Sequence, residues 1–124
     1  MPVHWCFHCY GLNAEPVGRC RHCGREIAAP EDLSFEARLI WALGHPDGDR
    51  AMLAARTLGQ RRVRSAIPHL RELAAHGADP FLAAQALRSL LAIEDTTVLR
   101  PLLDELASNG PFMVAEIAAA ALRG

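Results

Sequence analysis

Four cysteines lie within the first 23 residues as two Cys-x-x-Cys pairs, and no cysteine follows them. The pairs are Cys6 with Cys9 and Cys20 with Cys23, and ten residues separate them. Two residues between cysteines allow both thiolates of a tight turn to face one ion, and two such turns supply the four sulfurs of a tetrahedral site. The four cysteines are therefore predicted to bind one structural Zn²⁺. Iron, which accepts the same four ligands, is the alternative metal.

Disulfide bonds and a redox-active thiol pair are the alternative roles for these cysteines. The N-terminal sequence has no basic segment followed by an apolar run, so a secretory signal is not expected, and clustered thiols in a reducing compartment favour metal. A redox Cys-x-x-Cys usually stands alone at a helix start after a strand, which this sequence does not predict. His4, His8 and His22 are expected to be partly exposed bystanders, because four thiolates already complete the coordination shell.

The segment around the cysteines is too short to bury a core of its own. A glycine follows each pair, and Gly11 and Gly24 are both expected to supply the positive φ that such turns require. The intervening residues 10–19 contain Asn, Pro and Gly and predict a short hairpin or loop. Residues 1–28 resemble a zinc ribbon or a rubredoxin-like knuckle pair. A unit of this size is expected to depend on its metal for folding.

The rest of the chain predicts helices alone. Residues 66–92 predict two amphipathic helices joined by a tight turn. Residues 100–107 repeat residues 67–74, so that Pro101 aligns with Pro68 and Leu103 with Leu70. A weaker upstream echo matches residues 53–58 with residues 82–87. A recurring unit of this length without strands is typical of stacked helical pairs.

Four short motifs occur in order along this region: His-Pro-Asp at 45–47, Ala-Ala-Arg-Thr-Leu-Gly at 54–59, Ala-Ile-Pro-His-Leu-Arg-Glu-Leu at 66–73 and Asp-Pro at 79–80. Their order resembles HEAT repeats of the short, phycobilin-lyase-like kind over residues 31–124. The resemblance implies an all-α fold, a short α-solenoid of about three HEAT-like helical pairs, preceded by the small four-cysteine unit. It also implies a scaffold that binds other proteins.

Helix boundaries are predicted from capping residues and apolar spacing. The first helix is predicted over residues 33–43, with its apolar face at Phe35, Leu39, Ala42 and Leu43. Later helices are predicted to begin after side chains that cap free amide groups: Asp47 or Asp49, Ser65, and Asp79. The buried side of the second helix is predicted to include three residues: Met52, Ala55 and Leu58.

Composition and motifs narrow the function to binding. The net charge of −1 gives no overall attraction to nucleic acid or anionic lipid, and no apolar stretch approaches the ~20 residues of a membrane span. No nucleophile elbow, phosphate loop or zinc-hydrolase helix is present, so the protein is predicted not to be an enzyme. It is predicted to be a small, cytoplasmic, bacterial adaptor. A lyase-like bilin-binding role by family analogy would need a ligand pocket that three repeats hardly provide.

Two surfaces are candidates for binding. The last helix, residues 112–122, is apolar on nearly every side and predicts a protein partner or self-association, unless neighbouring elements of the chain cover it. The basic turn Arg61-Arg62-Val63-Arg64, together with the ribbon arginines, is the candidate for nucleic-acid binding. This alternative is less favoured, because no aromatic residues alternate with the arginines. Trp5 and Tyr10 are expected to pack on the metal site or the first helix instead of stacking on bases.

Overall fold

The structure, a computed structural model, describes residues 4–13, 18–28 and 32–124. The chain divides into two compact units, with the boundary between Phe35 and Glu36. The sequence predicts a short linker at Ala28-Ala29-Pro30, and the last two of these residues lie outside the described residues.

The N-terminal unit contains one small antiparallel ladder. Strand β1 is His4–Trp5 and strand β2 is Leu12–Asn13, with Trp5 opposite Leu12. These strands flank the first cysteine pair and close its turn. An antiparallel bridge between Arg19 and Glu26 closes the second cysteine turn in the same way. Strand pairing therefore encloses each cysteine turn. The sequence predicted a hairpin or loop between the two turns, and residues 14–17 of that stretch lie outside the described residues.

The second unit is built of six α-helices: α1 Phe35–Ala42, α2 Gly48–Gln60, α3 Ile67–His76, α4 Pro80–Ile93, α5 Thr96–Asn109 and α6 Phe112–Arg123. A single 3-10 turn at Arg64–Ala66 precedes α3. Helix α3 packs on α4 and α5 packs on α6, and the even-numbered helices α2, α4 and α6 pack side by side. The predicted all-α fold of stacked helical pairs is confirmed. Among the described residues, no helix has the length and apolar character to cross a membrane.

Helix α4 lies at the centre of this stack. It contacts α2, α3 and α6, and its Leu87 and Leu90 are completely buried. Leucines from the neighbouring helices complete the core: Leu58, Leu70, Leu99 and Leu103. The stack therefore buries the apolar stripe of each helix against its neighbours, as a solenoid requires.

Helix α1 contributes less to the core than the sequence predicted. It has no fully buried residue, and Leu39 and Ala42 lie half-buried against the core. Phe35, predicted to lie on the buried face, is 53% exposed. The reason is its position in the first turn of an eight-residue helix, beyond the part that packs.

Small residues bring α2 and α4 close together. A Cβ atom added at Gly59 would lie 2.6 Å from the Oγ atom of Ser89, and the Ser89 hydroxyl donates a hydrogen bond of 2.6 Å to the Ala55 carbonyl oxygen. The residues of α2 that face this contact recur every four positions: Ala51, Ala55 and Gly59. Met52, predicted to be buried, lies beside this stripe and not within it, and it is only half-buried.

Aspartates begin three of the helices. The side chains of Asp47, Asp79 and Asp95 accept backbone amide hydrogen bonds at the starts of α2, α4 and α5. Ser65 does not cap α3, contrary to prediction. It lies within the 3-10 turn, and Ala66 occupies the position before α3 without a side-chain cap.

The capping residues also correct the repeat register. Asp47 and Asp79 begin equivalent helices, so alignment of these two caps sets residues 53–58 against residues 85–90. The echo between residues 53–58 and 82–87 therefore aligned the wrong residues. Alanine and leucine are so frequent in both segments that their order alone did not define the alignment.

Candidate metal centre

The four cysteine sulfurs converge on one point in the N-terminal unit. The Sγ atoms of Cys6 and Cys23 are 3.6 Å apart, those of Cys9 and Cys20 are 3.7 Å apart, and all four lie within 4.8 Å of one another. A disulfide would need about 2.05 Å, so the cysteines are free thiols. Four sulfurs at about 2.3 Å from a zinc ion in a tetrahedron are about 3.8 Å from one another. The spacing therefore fits a tetrahedral metal site.

The two cysteine turns are copies of each other. The Tyr10 amide donates to the Cys6 carbonyl oxygen at 2.9 Å, and the Gly24 amide donates to the Cys20 carbonyl oxygen at 3.0 Å. The strand pairs that close the turns correspond in the same way, with Trp5 opposite Leu12 in the first and residues 19 and 26 opposite each other in the second. Two turns with the same backbone hydrogen bonds each supply two sulfurs, and together they supply the four ligands of one site.

Only one of the two expected glycines has the positive φ. Gly24 has φ = 78°, but in the first turn this conformation belongs to Tyr10, with φ = 61°, and not to Gly11. Gly11 is needed for a different reason. A Cβ atom there would lie 2.5 Å from Cδ2 of His22, so the His22 ring, whose Nε2 atom lies 2.9 Å from the Leu12 carbonyl oxygen, would have to shift.

Backbone amides stabilise negative charge on three of the sulfurs. The amides of His8 and His22 donate to the Sγ atoms of Cys6 and Cys20 at 3.4 Å and 3.3 Å. The Gly11 amide donates to the Sγ atom of Cys9 at 3.3 Å. Such hydrogen bonds favour the thiolate, the form that coordinates metal.

Asn13 connects the two turns, and sequence reasoning treated it only as a turn residue. It is 1% exposed, and its Oδ1 atom accepts from the Arg21 amide at 3.0 Å. Its Nδ2 group donates to the Gly11 carbonyl oxygen and to the Sγ atom of Cys20, at 3.4 Å and 3.5 Å. No local pattern predicted this role, because Cys20 and Arg21 lie seven and eight residues after Asn13 in the sequence, in the other turn.

The environment shifts the pKa of two of the thiols in opposite directions. Hydrogen bonding from Asn13 outweighs burial and, with backbone amides and the Cys9 thiol, lowers the pKa of Cys20 to about 6. At Cys9, the Gly11 amide lowers the pKa, but burial and the three neighbouring thiols raise it to about 12. Four negative charges this close repel one another, and a divalent cation offsets that repulsion.

Two of the three histidines beside the cysteines, His8 and His22, have other contacts. The Nε2 atom of His22 is 2.9 Å from the Leu12 carbonyl oxygen, and the ring of His8 meets the ring of Phe7 edge-on. Within the described residues, the cluster that could hold a metal consists of the four cysteines.

Replacing Gly11 with alanine is expected to weaken metal binding. Overpacking of this kind costs about 1–3 kcal/mol, which corresponds to a loss of about 5- to 140-fold in affinity. The measurement is competition for Zn²⁺ against a chromophoric chelator. Gly18→Ala is the matched control, because a Cβ atom at Gly18 meets nothing within 4 Å. Equal affinities of the two variants would show that the turns do not need the close approach at Gly11.

A comparison with known families identifies the second unit. The sequence pattern of the family described as HEAT repeats matches residues 36–123, which is most of the chain. The chain belongs to the HEAT-repeat family. HEAT repeats generally present surfaces for binding other proteins. No curated protein and no solved structure gave a significant match.

Two arginines of the basic turn in the HEAT repeats form ion pairs. Arg61 lies 3.2 Å from Glu36, and Arg64 lies 3.1 Å from Glu94. The backbone of Glu36 and the Arg61 guanidinium both lower the pKa of that carboxyl group. Exposed pairs of this kind contribute little stability, but they neutralise part of the predicted nucleic-acid surface.

The last HEAT helix, α6, is largely covered by its own unit. Val114 and Ala118 are buried, and four further apolar residues pack half-buried against the core: Met113, Ile117, Ala121 and Leu122. Phe112 is the exception, with 76% of its surface exposed. Contacts within the chain therefore bury most of the apolar surface of α6. The prediction of self-association depended on that surface.

Proposed function

We propose that this HEAT-repeat protein is a non-enzymatic adaptor that binds a protein partner and that its N-terminal unit is held together by structural zinc. The zinc ligands would be Cys6, Cys9, Cys20 and Cys23, in a zinc-ribbon-like unit of residues 1–28. The observation that carries the metal site is the convergence of four sulfurs from two equivalent turns. The HEAT repeats over residues 36–123 support the adaptor role.

A structural role for the metal follows from the number of ligands. Four thiolates fill the tetrahedral shell of Zn²⁺ and leave no position for a water molecule or a substrate. The proposed site would therefore stabilise the fold and could not activate a water molecule for hydrolysis. This is consistent with the proposed non-enzymatic role. Iron would accept the same sulfurs, and metal analysis distinguishes the two ions.

A protein partner is favoured over nucleic acid by the state of the basic turn. Arg61 and Arg64 already pair with carboxylates, which leaves Arg62 as the one arginine of the turn without an ion pair among the described residues. A surface that binds phosphates through counterion release needs several cations that are not neutralised internally. Self-association through α6 remains part of the proposal and rests on the exposed ring of Phe112.

Cytoplasmic localisation belongs to the same proposal, because a reducing compartment keeps four thiols available for metal. The bacterial origin and the phycobilin-lyase-like type of the HEAT repeats stay predictions from the sequence.

The metal site is tested by the composition of the purified protein. We expect about one zinc per chain by mass spectrometry of the metals. We also expect four thiols that react with a disulfide reagent only after a chelator has removed the metal. A chain without zinc whose four thiols react at once would contradict the proposal. Iron in place of zinc would correct the metal and leave the site intact.

The adaptor role is tested by capture of partners with the full chain. We expect a stoichiometric protein partner that survives nuclease treatment. A bound fraction that nuclease removes, with affinity falling steeply as salt rises, would favour the nucleic-acid alternative instead.

A further inference from the structure

Two arginines occupy equivalent positions on the neighbouring helices α2 and α4. Arg56 lies nine residues after the cap Asp47, and Arg88 lies nine residues after the cap Asp79. Both side chains are exposed. Because the offset from the cap is the same and α2 packs on α4, the two arginines occupy corresponding turns of adjacent helices.

Neither of these arginines forms an ion pair with a described residue. Three other arginines of the HEAT unit form ion pairs, namely Arg50, Arg61 and Arg64. Among the described residues, no carboxylate lies within 4.0 Å of Arg56 or Arg88. Two like charges side by side repel each other, so this arrangement favours an external anion.

Large apolar side chains accompany the two arginines. Phe81 is 61% exposed and lies two turns before Arg88 on the same face of α4. Leu53 is 60% exposed and lies one turn before Arg56 on α2. A single exposed apolar residue is ordinary, but here two of them accompany two cations without partners.

We propose that Leu53, Arg56, Phe81 and Arg88 form a docking surface for an acidic, amphipathic segment of the protein partner. We refer to these four residues as the Arg56–Arg88 surface. Carboxylates of the segment would pair with the two guanidinium groups, which suit planar, bidentate recognition of carboxylate. Apolar side chains of the segment would cover Leu53 and Phe81. This inference rests on the proposed adaptor function and names the chemistry of its partner.

The apolar residues and the flanking charges favour a protein segment over nucleic acid. Asp49 on α2 and Glu116 on α6 are exposed on the same layer of helices, where they would repel a continuous phosphate backbone. A peptide can pair two carboxylates with the arginines and present apolar side chains to Leu53 and Phe81. The surface therefore discriminates by apolar contact as well as by charge.

The test uses the full chain and a fluorescein-labelled 16-residue peptide that combines glutamate with leucine and phenylalanine at helical spacing. We expect saturable binding by fluorescence anisotropy. A peptide with lysine in place of glutamate, and one with alanine in place of leucine and phenylalanine, should each bind at least tenfold more weakly. The double variant Arg56→Glu, Arg88→Glu should reduce binding of the acidic peptide at least tenfold.

Arg100→Glu is the matched control, because Arg100 is an exposed arginine on α5, outside the α2–α4–α6 layer. It should bind the acidic peptide like the unaltered chain. Should the double variant fail to fold by circular dichroism, the single variants Arg56→Ala and Arg88→Ala take its place, each with an expected loss of several-fold. The proposal is overturned if the acidic peptide does not bind, if the lysine peptide binds equally well, or if the Arg100 variant loses as much affinity.

Failure of this surface and failure of the adaptor function have different signatures. A natural partner captured equally by the unaltered chain and by the double variant would leave the adaptor role intact and overturn the Arg56–Arg88 surface. A chain that binds neither a natural partner nor the acidic peptide would overturn both.

Discussion

Replacing Cys20 with serine is expected to abolish stoichiometric zinc binding and unfold the N-terminal unit, while the helical signal in circular dichroism stays nearly unchanged. Cys20 is 3% exposed, and its sulfur receives hydrogen bonds from the His22 amide and the Asn13 side chain. A serine hydroxyl is a poor replacement for a thiolate, and loss of a direct ligand should cost more than the roughly 10- to 100-fold loss typical of outer-shell changes. Metal content and the dispersion of NMR signals from residues 4–28 provide the measurements.

The helices are expected to survive because the two units are compact on their own and the HEAT core consists of residues from α1 to α6 and their connections. Gly18→Ser is the matched control in the same segment, since Gly18 has open space around it, and it should keep its zinc. Loss of the helical signal in the Cys20 variant would mean that the HEAT unit depends on the metal unit for its stability.

Replacing Leu87 with alanine is expected to destabilise the HEAT unit by about 2–5 kcal/mol, a large part of the roughly 5–15 kcal/mol that holds a typical domain folded. Leu87 is fully buried at the centre of α4, which contacts three other helices. The truncation removes apolar contacts and leaves a cavity that the packed helices on several sides cannot readily fill. Urea unfolding followed by helical signal measures the change, and the thermal midpoint should fall by more than about 10 °C.

Leu53→Ala is the matched control for stability, because it makes the same chemical change on α2 at a site that is 60% exposed. Its effect should stay within about 0.5 kcal/mol. Similar losses from Leu87→Ala and Leu53→Ala would show that α4 is not the central element of the core. The same Leu53 variant should weaken binding of the acidic peptide, so its two readouts separate binding from folding.

The cysteine pairs show which features of the site the spacing of residues in the sequence can predict. The sequence predicted which four residues come together, because two residues between cysteines confine both sulfurs to one side of a tight turn. It did not predict that Tyr10 carries the positive φ or that Gly11 is required by the ring of His22. Both depend on how one turn faces the other.

The helices show the same division. Apolar periodicity, together with Asp and Pro at helix starts, predicted six helices in pairs, and the structure confirmed them. The cap Asp79 was also predicted correctly, and Asp47 is the one of the two alternatives, Asp47 or Asp49, that caps α2, since a side chain that bonds to an amide two residues later is a local feature. Ser65 failed as a cap because residues 64–66 form a 3-10 turn, which no local propensity required.

The amino-acid sequence alone determined the helical class of the second unit and the clustering of four cysteines in the first, because cysteine spacing and the helical period are properties of neighbouring residues. Only the tertiary structure decided the repeat register, the close contact between Gly59 and Ser89, and the position of Asn13 between the two cysteine turns. It also decided which arginines pair and which stay exposed. The physical reason is that packing distances and ion pairs join residues far apart in the chain, and neither composition nor local periodicity contains those distances.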